Sequence, residues 1–425
     1  MSDQKTAFTL FNSLLNLPGV KVVDIRESTD GCQVVIVVES TQDTVNCRQC
    51  GKPTQSHGHG RQIRLRHLAL LGKETYIEIT PKRGRCDGCD GGMTTTERHN
   101  WYEKHKKMTK AYEQHLLFEL INSTVSDVSR KEGVDYHAID NFILSTIESK
   151  IDYSTIVELG VLGLDEISLK KGYRDFVTLI TYRIDSKVHM LGLVKGREKA
   201  AIIAFLKKIP RRLRKTIKAI CCDLYDGYIN ASKEVFKKKV PVVADRFHVK
   251  KLYHRGLINI RKSELKRLQK TLDDKDYTKL KPAIAILRKQ KDYFTEDEKE
   301  VVSQLFSHSP KLKQAYEFSR ALSGMFDSDM TPEKARVKMR EWIDDVMDSD
   351  LCCFNAFIKT VTKYEAEISH YFIRGDSSGF VEGFNNRVKV LKRRCYGLSN
   401  VTKLFQRLIL DTEGFYRFAP LARTI

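Results

Sequence analysis

GLDEISLKK (163–171), YRDFVTLITYRID (173–185) and KVHMLGLVKG (187–196) read as three β-strands in immediate succession. Each is rich in β-branched and aliphatic residues and is bounded by charge, glycine or a short polar turn. REKAAIIAFLKKI (197–209) then switches to a helical period, with Ala200, Ile203, Ala204 and Leu206 expected to face the core. A strand, TIKAICCDLYD (216–226), a helix, GYINASKEVFKKK (227–239), and a strand, VPVVAD (240–245), follow. Three meandering strands and then α-β-α-β is the element order of a ribonuclease H-like α/β fold. In such a fold the first and fourth strands are neighbours.

Two carboxylates interrupt these apolar strands. Asp165 lies in the first strand, and Asp223 ends the fourth, directly after Ala219-Ile220-Cys221-Cys222. A carboxylate on a central apolar strand needs a partner, and a cation is the natural one. Neighbouring strands would make Asp165 and Asp223 converge. A third acid is expected from a later helix, and Glu382 in SGFVEGFNNRVKVLKRR (378–394) is the candidate. Val381, Phe384, Val388 and Leu391 make one apolar stripe, while Glu382, Asn386, Lys389 and Arg393 make a separate polar one. One carboxylate beside several cations suits a metal next to a phosphodiester. Three carboxylates can hold two Mg²⁺ or Mn²⁺ ions ~3.5–4 Å apart, which activate the attacking oxygen and stabilise the leaving one. Glu166 is a weaker candidate because it points to the opposite face of the strand from Asp165. Asp226 lies beyond the strand end. Asp245-Arg246-Phe247-His248 follows the fifth strand, where Asp245 can cap the next helix with His248 packed beside it.

The N-terminal third has another character. VKVVDIRE (20–27) and CQVVIVVES (32–40) read as strands about the turn STDG, and RQIRLRHLAL (61–70) and TYIEITPKRGR (75–85) as two more. Cys47-Arg-Gln-Cys50 and Cys86-Asp-Gly-Cys89 are paired CxxC motifs with 35 residues between them. Four thiolates so arranged can hold one structural Zn²⁺ tetrahedrally at ~2.3 Å each. The span exceeds that of a short zinc ribbon, and an intervening β-hairpin is expected to close it. His57 and His59, in SHGHGR, read as solvated or phosphate-contacting loop residues, although either could replace a cysteine. TKAYEQHLLFELI (109–121), VSDVSRKEG (125–133) and VDYHAIDNFILSTI (134–147) read as helical. Gly133 at a turn, Val134 as an apolar anchor and Asp135 as an N-cap fit a helix-turn-helix. His137, Asp140 and Asn141 then lie near the exposed face of its second helix.

Lys and Arg number 74 against 54 Asp and Glu, a net charge of +20 in 425 residues. With a pI near 9.4, that excess points to a polyanion, most commonly nucleic acid. No run approaches the ~20 apolar residues of a membrane span. The opening MSDQKTAFTLFNSLLNL lacks the basic start of a secretory leader. Beyond the CxxC pairs, Cys221, Cys222, Cys352, Cys353 and Cys395 read as packing residues, a spacing that suits a metal in a reducing cytosol better than a disulfide framework. More than 130 residues separate His248 from Glu382. They read as helices, basic over 250–272 and 277–290 and apolar-rich over 335–372, with Trp342 in the core.

GLDE (163–166), CDLYDGYINA (222–231), ADRFHVKKL (244–252), GFVEGFNNRVKVLKRRCYGL (379–398) and the double CxxC together resemble the bacterial insertion-sequence DDE transposases of the ISL-three type. The match runs in order from about Cys47 to about Ile409. The resemblance implies an α+β multidomain chain. A zinc-binding β-rich domain (1–100) precedes a helix-turn-helix region (101–155). A ribonuclease H-like catalytic core (156–250 and 376–425) follows, interrupted by a helical insertion (251–375). It implies Asp165, Asp223 and Glu382 as the metal-binding triad. It further implies metal-dependent cleavage and strand transfer at terminal inverted repeats, with target DNA as second substrate. A homo-oligomer, at least a dimer on DNA, and a cytoplasmic, nucleoid-associated location are expected. Asp245-Arg246-Phe247-His248 is similar to the C/DxxH signature of Mutator-like and hAT-like transposases, which implies a supporting or DNA-contacting role for Asp245, Arg246 and His248. Further DNA contacts are expected from Asn386, Lys389, Lys392 and Arg393, and from His137 and Asn141. A zinc and helix-turn-helix regulator without catalysis, or a nuclease that hydrolyses without joining, would share many of these features.

Overall fold

The computed structural model of the protein describes residues 2–89, 91–169, 175–287, 289, 294–377 and 379–418. The expected strand ends within 170–174 and the helix end at 288 and 290 lie outside the described residues, as does Ser378. The chain packs as two compact units, residues 1–147 with 408–425, and residues 148–407. Among the described residues, no helix is long and apolar enough to cross a membrane.

The first unit opens with helix α1 (Ser2–Leu15), which the sequence reading did not foresee. A four-stranded sheet follows in the order β1 (Val20–Glu27), β2 (Gln33–Ser40), β5 (Lys73–Ile79), β4 (Ile63–Leu70). β2 alternates, burying Val34, Ile36 and Val38 against Leu65, Ile77, Ile79 and Trp101, with Phe8, Phe11 and Leu15 of α1 packed on them. A second sheet has the order β3 (Gln55–His59), β6 (Lys82–Arg85), β7 (Thr94–Thr96). Its β3–β6 pairing, Gln55 opposite Arg85, joins the two CxxC segments. The β4–β5 hairpin lies between them as expected, and its Leu65, Ile77 and Ile79 are drawn into the larger sheet's core.

Three helices complete this unit: α2 (Lys110–Leu120), α3 (Val125–Glu132) and α4 (Tyr136–Thr146). Thr109, Thr124 and Asp135 cap them, accepting from the backbone N–H of Tyr112, Asp127 and Ala138; each such cap is worth roughly 1 kcal/mol. Gly133, at φ 63°, supplies the left-handed residue that ends α3 and turns the chain into α4. The far end of the chain also belongs to this unit. Asp411 accepts from the N–H of Asn122 at 3.0 Å, and Phe415 meets Phe118 edge-on.

The second unit is built on a five-stranded sheet of β8 (Gly160–Ser168), β9 (Phe176–Ile184), β10 (Lys187–Lys195), β11 (Ile217–Cys222) and β12 (Val242–Ala244). The order is β10-β9-β8-β11-β12, with β8 antiparallel to β9 and parallel to β11, so the first and fourth strands are neighbours. Between strands lie α5 (Lys199–Lys208), α6 (Arg211–Arg214) and α7 (Asp226–Phe236). Of the four α5 residues expected inside, Leu206 is buried; Ala200 and Ala204 are exposed, and Ile203 is partly buried. Ile202, Leu206 and Ile209, spaced i, i+4, i+7, take the core face because they bury more aliphatic surface than the alanines would.

After β12 come α8 (Arg246–Thr271), α9 (Asp274–Leu280), α10 (Ala283–Ile286), α11 (Glu296–His308), α12 (Pro310–Asp327), α13 (Pro332–Met347), α14 (Asn355–Lys363), α15 (Glu365–Ser369) and α16 (Tyr371–Arg374). They share one continuous apolar core with the sheet. Trp342 is buried against Phe318, Phe354 and Phe357 and donates to the Phe318 carbonyl at 3.0 Å, as its core reading requires. Cys221 and Cys222 are buried, but Cys352 is exposed and Cys353 and Cys395 are only partly covered. In the single turn Cys352–Phe354 the ring of Phe354 takes the interior place, leaving Cys352 outside. The last helices are α17 (Gly379–Arg394) and α18 (Val401–Phe418).

Candidate active site and metal centres

The four CxxC thiols converge. Cys47 and Cys89 lie 3.8 Å apart at sulfur, and Cys50 and Cys86 3.6 Å. A tetrahedron with ~2.3 Å Zn–S bonds has sulfur–sulfur edges of about 3.8 Å, so the spacing fits zinc. Tight turns build the cluster, with Gly51 at φ 72° donating to the Cys47 carbonyl and the Gln49 N–H approaching the Cys47 sulfur at 3.5 Å. Backbone donors from Cys50 and Gln49 draw the Cys47 thiol down to about 6, whereas bonding to the neighbouring thiols of Cys50 and Cys86 pushes Cys89 up to about 12. A cation relieves that crowding. His57 and His59 sit on β3 with exposed side chains, and the described metal-competent group contains the cysteines without them.

In the second unit, residues of β8 alternate between the two faces of the sheet. Leu162 and Leu164 belong to the main core, whereas Val161 packs on the other face with Ala219, Cys221, Val243 and Phe380. Gly163 lies on that second face, and α17 crosses it closely. A Cβ on Gly163 would overlap Val381 and stand 2.8 Å from Thr181 Oγ1 and 3.0 Å from Phe380 Cε2. The approach lets Asn385 of α17 donate through Nδ2 to Asp165 Oδ2. Ahead of α17, Asp376 is fixed by Arg183 at 2.8 Å and by Arg374 at 2.8 Å, and Arg183 lies 4.9 Å from the centre of the Phe380 ring. Gly163→Ala is therefore expected to push α17 off the sheet, destabilising the fold by roughly 1–3 kcal/mol and breaking the Asp165–Asn385 bond. Thermal melting reads the effect; a variant that melts like the wild type would contradict this packing.

Asp165 and Asp223 come together as the strand pairing demands. Burial raises the Asp165 carboxyl above its ordinary range. Burial, then the charges of Asp165 and Asp245, push Asp223 up to about 8. His248 Nε2 stands 3.2 Å from Asp223 and 3.8 Å from Asp245. Asp245 also caps α8, accepting from Phe247 N–H at 3.0 Å. The ligand atoms of Asp223, Asp245 and His248 all lie within 4.8 Å of one another. Half-buried carboxylates that repel one another fit a divalent cation, which removes both the repulsion and the desolvation penalty.

Glu382 is exposed on α17, one turn before Asn385. The described metal-competent groups do not include it or Asp165. Asn386, Lys389 and Arg393 are exposed on the same helix, as expected. Lys392 is turned in, its ammonium against the Ser168 carbonyl. Arg246 bonds Tyr371 OH at 2.9 Å and pairs with Asp327, so it supports the helical layer from within. His137 and Asn141 are exposed on α4.

A cleft of about 520 Å³ opens at this site. Glu166, Asp223 and His248 line one side of its chemistry, and Arg197, Lys251, Arg255, Lys359 and Lys363 supply positive charge. Glu166 faces away from Asp165 along the strand yet still enters the cleft, where Arg197 Nη1 meets it at 2.9 Å. Asp226 lies apart, bonded to Tyr364 OH at 2.7 Å and to Lys363 at 2.5 Å. Sequence reasoning missed Asn385 and Arg197. Asn385 carried a readable signal: it falls four residues after Val381 and three before Val388, on the apolar stripe, where a polar side chain needs a partner. Arg197 carried none, since one arginine after a strand is common.

Acids gathered where β8 and β11 end, under a helix that crosses the sheet and beside a basic wall, mark a candidate site in a mixed α/β protein. The chain belongs to the ISL-three family of DDE transposases: that family's pattern, described as transposase, matches residues 162–408. It is 23% identical to the transposase for insertion sequence element IS1001 of Bordetella parapertussis, over 92% of this chain and 94% of that one. It is 20% identical to the transposase for insertion sequence element IS1557 of Mycobacterium tuberculosis, over 95% of each chain.

Proposed function

We propose that this transposase cuts the ends of an insertion sequence and joins them to target DNA at one site formed by Asp165, Asp223 and Glu382. The observation that carries the reading is the convergence of Asp165 and Asp223 on adjacent strands, with Asp165 held by α17 and Asp223 lining a cleft walled by cations. Asp165, Asp223 and Glu382 would hold a pair of Mg²⁺ or Mn²⁺ ions, which polarise the attacking and leaving oxygens of an in-line displacement. The chain's own part is to place the phosphodiester. Lys251, Arg255 and Lys359 attract and orient the backbone; His248 fixes the Asp223 carboxylate; Asn385 fixes that of Asp165. Incubating the protein with a DNA fragment spanning one element end and Mg²⁺ tests the reading, with a nick at the element boundary expected. DNA-bound protein that makes no nick with Mg²⁺ or Mn²⁺ would count against it.

The zinc-binding region (1–100) and the helix-turn-helix (101–155) are assigned to the terminal inverted repeats, the ribonuclease H-like core (156–250 and 376–425, of which 408–425 pack with the first unit) to chemistry, and the insertion (251–375) to the cleft's basic wall. Bringing two element ends together calls for at least a dimer on DNA. A chain acting on the bacterial chromosome is placed in the cytoplasm. His137→Ala with Asn141→Ala is expected to reduce the preference for repeat over random DNA by about tenfold or more, since each base contact is worth ~1–3 kcal/mol. The salt dependence should hardly change, because phosphate contacts set it. Competition binding reads both quantities, and an unchanged preference would move base recognition off α4.

A further inference from the structure

Arg197 follows β10 and stands in the cleft with Glu166, Asp223 and His248. Three contacts hold its guanidinium. The carbon at its centre lies 4.6 Å from the centre of the Phe176 ring and 5.0 Å from that of Tyr225. Its Nη1 donates to Glu166 Oε2 at 2.9 Å. Rings on Phe176 and Tyr225 restrain the group's position, and the carboxylate restrains its rotation, so little conformational freedom remains to be lost on meeting a ligand. The pair with Glu166 does little for stability, since both side chains are about one-third exposed (38% and 33%). A guanidinium carries five N–H donors in a planar fork. Glu166 engages Nη1, and among the described residues no other side chain accepts from the guanidinium, Glu198 being bonded to the Arg197 backbone N–H instead. A held, charged, partly unsatisfied fork opening into an acid-and-base cleft matches the geometry of a phosphate oxygen pair.

We propose that Arg197 binds the non-bridging oxygens of the DNA phosphodiester that lies beside Asp223 in this cleft. The proposal rests on the reading of this cleft as the DNA-cleaving site. It is tested on the full chain bound to a duplex carrying the terminal repeat that flanks its gene, in Ca²⁺, with cleavage followed in parallel. Single phosphates around the element boundary are replaced, one at a time, by neutral methylphosphonates, and affinity is measured for wild type, Arg197→Ala and Arg197→Lys. In the wild type, neutralising the contacted phosphate should weaken binding by about tenfold or more, the usual worth of a charged hydrogen bond. In Arg197→Ala the same replacement should matter less than about twofold, while Arg197→Lys, which keeps the charge but not the fork, should fall between. Equal losses in wild type and both variants at every phosphate would overturn the proposal. A wild type insensitive at every boundary phosphate would overturn the cleft reading too, and is told apart because it appears without any substitution. Should Arg197→Ala melt early, the lysine variant decides: full wild-type sensitivity at each phosphate would leave no role for the fork.

Discussion

Asp165→Ala, Asp223→Ala and Glu382→Ala are each expected to lower end cleavage and strand transfer on the order of 10³-fold or more, with DNA affinity little changed. The reason is division of labour. The carboxylates are assigned to ions that act on one reacting phosphate, whereas most binding is expected from cations spread along the backbone. Double variants should lose little beyond the single ones, because groups that act as a unit fail together. Asp226→Ala is the matched control, since its carboxylate is tied to Lys363 and Tyr364. Glu166→Ala is expected to fall between, as it frees Arg197 without touching the proposed ion ligands. Single-turnover assays on uncut and pre-cut ends read all of these, and near-normal strand transfer by a folded triad variant would remove that residue from the site. Glu382 faces the sharpest trial, because its place on α17 is exposed and Asn385 makes the contact to the sheet.

Cys47→Ser or Cys86→Ser should lower bound zinc from about one per chain to almost none and unfold the β3-β6-β7 sheet. Structural zinc contributes roughly 10–16 kcal/mol to small metal-folded modules, as much as the whole stability of an ordinary domain, about 5–15 kcal/mol. Three ligands would not retain that contribution. Selectivity for the terminal repeats should fall with the metal, while non-specific DNA binding by the basic second unit persists. Cys352→Ser is the control, because that thiol is exposed and outside the cluster. Metal analysis of freshly purified, reduced protein, with melting curves before and after chelation, measures the effect. Zinc-free protein with an unchanged melt would refute a structural zinc.

Much of this was legible in the sequence, for reasons particular residues make plain. Runs such as VKVVDIRE and CQVVIVVES announce strands because β-branched side chains alternate around a turn. Asp165 and Asp223 stood out because a carboxylate in an apolar strand is conspicuous, and the β8–β11 pairing then brings them together. The CxxC pairs carried their own geometry. What escaped depended on contacts across distant segments. Arg246 and Lys392 look in sequence like free cations on basic helices, but Tyr371 and Asp327 claim one and the Ser168 carbonyl the other. The inward face of α5 was misread by one position, because alanines fit either side and only packing against the sheet selects Ile202 and Ile209. The docking of Asp411 and Phe415 on α2 has no local signal, since it joins residues nearly three hundred apart.

Joining is the chemistry that separates a transposase from a nuclease on the same scaffold, so one assay bears most directly on the proposed reaction. Purified protein is mixed with a pre-cut terminal-repeat duplex bearing a free 3′-hydroxyl, supercoiled plasmid and Mg²⁺, and the products are sequenced across new junctions. The account predicts plasmid molecules covalently joined to the repeat through that 3′ end, absent with Asp165→Ala and present with Asp226→Ala. Plasmid that is only nicked or linearised, with no repeat attached under conditions where the protein binds both DNAs, would contradict it.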